Sequence, residues 1–130
     1  MSASVVIIDD HAVVRGILHA HLTEAGIDVV GEAADLQDGL RQARLNEPEI
    51  IILDAVLPHT DGLEALTLLT RALPGTQIIY LGDDPDPRYA TAALHAGAAA
   101  YIFKDDADTQ ALATVERLAA ERQHRQQPRT

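Results

Sequence analysis

Five short apolar runs recur along the chain, and they constrain the fold more than any other feature. They are Val5-Val6-Ile7-Ile8, Ile27 to Val30, Ile50-Ile51-Ile52-Leu53, Ile78-Ile79-Tyr80-Leu81 and Ala100 to Phe103. Each is too short for a core helix and, Asp28 in the second apart, too uniformly apolar for a strand with one wet face, which is the pattern of strands buried on both sides of a parallel sheet. The segments between them carry helical spacing. Val14, Ile17, Leu18, His21, Leu22 and Ala25 form one stripe, and Leu36, Leu40, Ala43 and Leu45 a second. A third runs from about Gly62 through Leu63, Leu66, Leu69 and Leu73, a fourth from Pro87 through Ala93, Leu94 and Ala96, and a fifth from about Asp108 through Leu112, Val115 and Leu118. Strict alternation of strand and helix requires crossovers of one hand and predicts an open parallel α/β sheet covered by helices on both faces.

The punctuation agrees. Gly26, Gly75 and Gly97 stand just past helical stretches, where a left-handed C-cap is expected, and Pro48 and Pro74 block extension. Asp35, Asp61, Asp86 and Asp108 occupy expected N-cap positions. A chain of 130 residues suits one domain. Aromatic residues are only 3%, so Val, Ile, Leu and Ala must build its core. The stretch from Glu121 to Thr130 lacks apolar periodicity and reads as a hydrophilic tail or the start of a linker, leaving residues 1–120 as the domain.

Charge and composition narrow the function. A formal charge of −10 opposes direct binding to a phosphate backbone or an anionic bilayer. With no cysteine, disulfides and thiolate zinc sites are excluded. The first apolar run stops after four residues at Asp9-Asp10, too short for a signal peptide or membrane span, so a cytoplasmic location is expected.

In doubly wound sheets the chemistry sits at the carboxyl ends of the strands. Here those ends carry Asp9 and Asp10 after the first strand, Asp54 after the third, Asp83 and Asp84 after the fourth, and Lys104 after the fifth. With the first and third strands adjacent, Asp9, Asp10 and Asp54 converge, and three carboxylates that close repel unless a cation intervenes. A hard divalent ion with oxygen ligands, Mg²⁺, resolves the conflict. Asp54 ends a dry strand before a Pro58-containing loop, and a carboxylate beside such an ion can attack a phosphoryl group in line. Lys104 is the only lysine in the chain, and its compact ammonium can reach a carboxylate or a phosphoryl oxygen. Helix capping is the competing reading of Asp9 and Asp10, and the one preferred for Asp83 to Asp86. The six histidines, His11, His19, His21, His59, His95 and His124, show no paired metal-ligand spacing and read as solvated.

These pieces together resemble the receiver domain of two-component response regulators. The resemblance rests on Val-Val-Ile-Ile-Asp9-Asp10-His11, on Ile-Ile-Leu-Asp54 with Leu57-Pro58 and Asp61-Gly62, and on Ala96-Gly97-Ala98 leading to Tyr101 and Lys104. It spans Ser4 to Leu118, and Asp-Asp-His-Ala-Val-Val-Arg-Gly with Lys104-Asp105 is similar to the NarL/FixJ branch. It implies a flavodoxin-like sheet of strand order 2-1-3-4-5 with five helices. It also implies phosphoacceptance at Asp54 from a sensor histidine kinase, Mg²⁺ held by Asp9, Asp10 and Asp54, and a phosphoryl contact from Lys104. Tyr101 would be an aromatic switch. The implied partners are the kinase, an output domain or regulatory partner (a LuxR-type helix-turn-helix controlling transcription in that branch) and a second copy of the chain. Such a domain is a signalling module and no more than a self-phosphorylating one, not an enzyme in the usual sense.

One position departs from the family. Gly82 stands where Thr or Ser would donate to the phosphoryl group, so the pull that draws Tyr101 inward is expected to weaken. A phosphate-independent interaction module is the alternative reading. A small Mg²⁺-dependent phosphatase would need an acid two residues after Asp54, where Val56 stands.

Overall fold

A computed structural model describes residues 3–126. Five strands, β1 (Ser4–Ile8), β2 (Asp28–Ala33), β3 (Ile50–Asp54), β4 (Gln77–Gly82) and β5 (Ala100–Phe103), form one parallel sheet in the order β2-β1-β3-β4-β5. The helices are α1 (Ala12–Glu24), α2 (Leu36–Asn46), α3 (Gly62–Ala72), α4 (Pro87–His95) and α5 (Ala107–Gln126), the last preceded by a single 3₁₀ turn over Lys104–Asp106. This is the doubly wound α/β architecture with strand order 2-1-3-4-5.

The period of two along each strand divides the core into two layers. Val5, Ile7, Ile50, Ile52, Ile79 and Leu81 pack on one face with Leu18 and Leu22 of α1 and Val115 and Leu118 of α5. Val6, Ile8, Ile51, Leu53, Ile78 and Tyr80 pack on the other with Ala43 of α2, Leu66 and Leu69 of α3 and Ala93 of α4. All five residues of β3 are buried, as a central strand covered on both sides requires.

Several sequence expectations shift in detail. β2 extends to Ala33 rather than stopping at Val30, because this edge strand pairs only with β1 and tolerates Gly31 and Glu32. Gly26 and Gly97 do take positive φ, at 87° and 113°, but Gly75 does not. The left-handed cap after α2 is supplied by Glu47, with φ 45°. Asp35, Asp61 and Asp86 cap α2, α3 and α4 through their side chains. Asp108 instead lies inside the first turn of α5, since the 3₁₀ turn moves the helix start to Ala107. Leu45 is 70% exposed and off the core stripe. The helix assigned to α5 continues beyond residue 120 to Gln126, with the Arg122 guanidinium donating to the Gly75 carbonyl at 2.6 Å. The rest of the hydrophilic tail, residues 127–130, lies outside the described residues.

Candidate functional site

Strand register assembles the acidic cluster. Ile8 of β1 is level with Leu53 of β3, so the residues that follow, Asp9 and Asp54, emerge side by side at the carboxyl edge of the sheet. Both are buried, with 0% of each exposed, whereas the Asp10 side chain keeps 31% of its surface in solvent. One ligand atom from each of Asp9, Asp10, His11 and Asp54 lies within 4.8 Å of the others.

Local hydrogen bonds aim these groups. The His11 backbone N–H donates to Asp9 Oδ1 at 2.8 Å, and the Val56 N–H donates to Asp54 Oδ1 at 3.0 Å. The free oxygen of Asp54, Oδ2, accepts from Lys104 Nζ at 2.8 Å. Lys104 reaches it because β5 ends at Phe103, level with Gly82 of β4, and the following 3₁₀ turn starts at the lysine. Its ammonium also stands 3.0 Å from His11 Nδ1 and 3.5 Å from Asp9 Oδ2. The last distance gives Coulombic attraction without a hydrogen bond, and Asp9 Oδ2 is left buried with no hydrogen-bonding partner among the described residues.

Burial is the main influence on Asp54 and pushes its pKa above the ordinary carboxylate range. The bonds from Lys104 and Val56 oppose that rise, and the nearby Asp9 charge adds to it. A dry carboxylate beside a second carboxylate, with one ammonium between two acids, is short of positive charge. The orphaned Asp9 Oδ2 and the all-oxygen donor set of Asp9, Asp10 and Asp54 therefore fit a hard divalent cation.

The structure brings together Asp9, Asp10, Asp54 and Lys104, all of them singled out by position at strand ends. It also brings in His11, which had read as solvated. Its side chain is 58% exposed, but Nδ1 faces the acids. The signal available was adjacency: a residue directly after Asp9-Asp10, at the N-cap of α1, cannot stand far from them. Asp83 and Asp84 stay outside the cluster. Asp84 accepts from the Asp86 N–H at 2.8 Å, and Asp86 caps α4.

Tyr101 lies across Gly82. A Cβ built on residue 82 would fall inside the ring and hydroxyl of Tyr101, and the hydroxyl donates to the Asp84 carbonyl at 2.6 Å. The ring also meets Tyr80 at a centroid separation of 6.1 Å. The expectation that Gly82 only weakens an inward pull on Tyr101 thus acquires a steric side, since a bare residue 82 is what leaves room for the ring. Tyr80, Tyr89 and Tyr101 line one hollow beside Ala55, Asp61 and Gly82.

Comparison with known proteins bears on the fold and the family. Residues 5–116 match the family model of the response regulator receiver domain. The transcriptional regulatory protein YhcZ of Bacillus subtilis is 39% identical over 102 residues, covering 78% of this chain and 48% of YhcZ. The chain spans about half or less of the length of the curated relatives it matches. Among solved structures, the receiver domain of the response regulator NarL from Mycobacterium tuberculosis superposes with a TM-score of 0.83 at 28% identity, over 92% of this chain and 97% of that one. A LuxR-family response regulator from Aurantimonas sp. SI85-9A1 gives 0.82 at 29% identity, over 92% of this chain and 87% of that one. Among the described residues, no helix is long and apolar enough to cross a membrane. A family match over most of the chain, on a sheet whose strand ends gather three aspartates and a lysine, leads to one conclusion: the chain belongs to the response regulator receiver domain family.

Proposed function

We propose that the chain accepts a phosphoryl group on Asp54 from a sensor histidine kinase and passes the signal to an output function. The observation that carries this reading is Asp54 itself, a buried carboxylate with one oxygen held by the Val56 N–H and the other by Lys104 Nζ at 2.8 Å. In the transfer, an Asp54 oxygen forms a bond to phosphorus as the bond to the donor breaks, yielding an acyl phosphate. Asp9, Asp10 and Asp54 would hold Mg²⁺, which supplies the positive charge that phosphoryl oxygens need at such a site. Lys104, released from its present bond to Asp54, is within reach of the incoming oxygens. The sequence likeness to a transcriptional regulator and to a LuxR-family protein supports transcription as the regulated output; the output module would be a helix-turn-helix partner domain, and the place of action the cytoplasm. A second copy of the chain remains a candidate partner on the same footing as the output domain.

Signalling through Tyr101 is expected to be muted. With Gly82 lacking a hydroxyl, one donor to the phosphoryl group is missing, and the ring already fills the space above residue 82. The same packing favours the second reading, an interaction module whose surface is set without phosphate.

Incubation with a small acyl phosphate and Mg²⁺, followed by intact mass, tests the first reading. One phosphoryl adduct is expected on the native chain and none on Asp54→Asn. An unmodified native chain, or an adduct that survives in Asp54→Asn, would overturn it.

A further inference from the structure

The residue that the receiver reading does not use is His11. It is the N-cap of α1, and its backbone N–H is tied to Asp9 Oδ1 at 2.8 Å, so its side chain starts from a fixed point beside the acids. Nδ1 lies 3.4 Å from Asp9 Oδ1, 3.2 Å from Asp10 Oδ1 and 3.7 Å from Asp54 Oδ2. With metal–ligand bonds of about 2.0–2.2 Å, two ligands of one ion stand roughly 3 to 4 Å apart. The three separations match that spacing. With Nδ1 as the unprotonated ring nitrogen, Lys104 Nζ at 3.0 Å donates to it and its lone pair faces the cluster. The second, independent sign of a ligand is Asp9 Oδ2, which is fully buried in the same cluster and has no hydrogen-bonding partner among the described residues.

Oxygen-only sites suit Mg²⁺, whereas imidazole nitrogen is a better donor for borderline first-row ions such as Zn²⁺. We propose that His11 Nδ1 is a fourth ligand of the Asp9, Asp10 and Asp54 site and sets its preference, so that the site takes Zn²⁺-like divalent ions more tightly than Mg²⁺. Lys104 gives up its contact with Nδ1 on loading and keeps its bond to Asp54. The inference rests on the reading of these aspartates as a cation site but not on phosphoryl transfer.

The test is calorimetric titration of the chain with Zn²⁺ alone and with Mg²⁺ alone, for the native sequence and for His11→Ala, paired with nitrogen NMR of the histidine rings. The expected result is a fall in Zn²⁺ affinity of about tenfold or more in His11→Ala, with Mg²⁺ affinity within about twofold of native, since loss of even an outer-shell partner of a metal ligand costs about tenfold or more. A displaced His11 Nδ1 resonance is expected with Zn²⁺ and not with Mg²⁺. The other five histidines are common to both chains, so adventitious zinc cancels in the comparison. Equal loss of both ions in His11→Ala overturns the proposal, because it marks a structural role. Unchanged Zn²⁺ affinity overturns it as well. If neither ion binds the native chain, the cation-site reading itself fails, and that outcome is distinct from the other two.

Discussion

Replacing Gly82 with Thr perturbs the feature that most distinguishes this domain. The new Cβ would overlap Oη, Cζ and Cε2 of Tyr101, and the ring cannot share that volume. Non-bonded carbon atoms settle at about 3.5–4.0 Å, so the ring must withdraw by more than an ångström. Withdrawal breaks the hydrogen bond of 2.6 Å from the Tyr101 hydroxyl to the Asp84 carbonyl, at a net cost of about 1 kcal/mol. It also separates Tyr101 from Tyr80, now 6.1 Å apart between centroids, for roughly 0.5–1.5 kcal/mol. Against this, a β-branched residue in place of glycine within a strand recovers up to about 1 kcal/mol. The net change expected for Gly82→Thr is therefore a loss of roughly 1 kcal/mol, while its coupling to Tyr101 is nearer 2 kcal/mol. A double-mutant cycle isolates the coupling: in a Tyr101→Ala background the same threonine meets no ring and is neutral or stabilising. Urea unfolding of the four proteins gives the energies, and the ring carbon resonances of Tyr101 report its withdrawal. Additive energies with unmoved Tyr101 resonances would show that the ring does not depend on a bare residue 82, and the steric account would be wrong.

Lys104→Met removes the cation between Asp9 and Asp54. Two carboxylates with oxygens within 4.8 Å of each other repel by about 3 kcal/mol at an effective dielectric of about 20, so destabilisation of roughly 2–3 kcal/mol is expected near pH 7, with recovery on adding Mg²⁺, checked by thermal unfolding. Tyr80 is pushed up to about 12, first by burial and then by the charge of Asp61. A raised folded value means that its contribution to stability is complete below the ordinary tyrosine value of 10.0 and is lost as pH climbs through about 12, which an ultraviolet phenolate titration alongside unfolding would reveal. Asp61→Ala should lower that Tyr80 midpoint. It also deletes the N-cap that accepts from the Leu63 and Glu64 N–H groups, destabilising the fold by about 1 kcal/mol in urea unfolding.

The central strands were legible because burial on both faces leaves an unbroken apolar run, as Ile50 to Leu53 shows. β2 was harder to bound, since an edge strand has one neighbour and its positions past Val30, Gly31 and Glu32, look like loop. Asp35, Asp61 and Asp86 announced helix starts through their capping chemistry. Asp108 misled because the preceding turn is 3₁₀, a matter of hydrogen-bond geometry rather than residue type. Asp9, Asp54 and Lys104 could be placed from strand ends alone. The inward turn of His11 Nδ1 depends on a side-chain rotamer and on Lys104, which is 93 residues away in the chain. The overlap of Tyr101 with residue 82 depends equally on the register of β4 against β5, which periodicity does not specify.

The three tyrosines that line a single hollow have a consequence for observing this protein. The chain has no tryptophan, so every intrinsic fluorophore with useful emission lies in the corner between the acidic cluster and α4. Near-ultraviolet dichroism and tyrosine emission, which in most proteins average over the whole molecule, become here an unlabelled local gauge of that corner. Events at Asp54 that leave this gauge still would have bypassed the aromatic corner altogether.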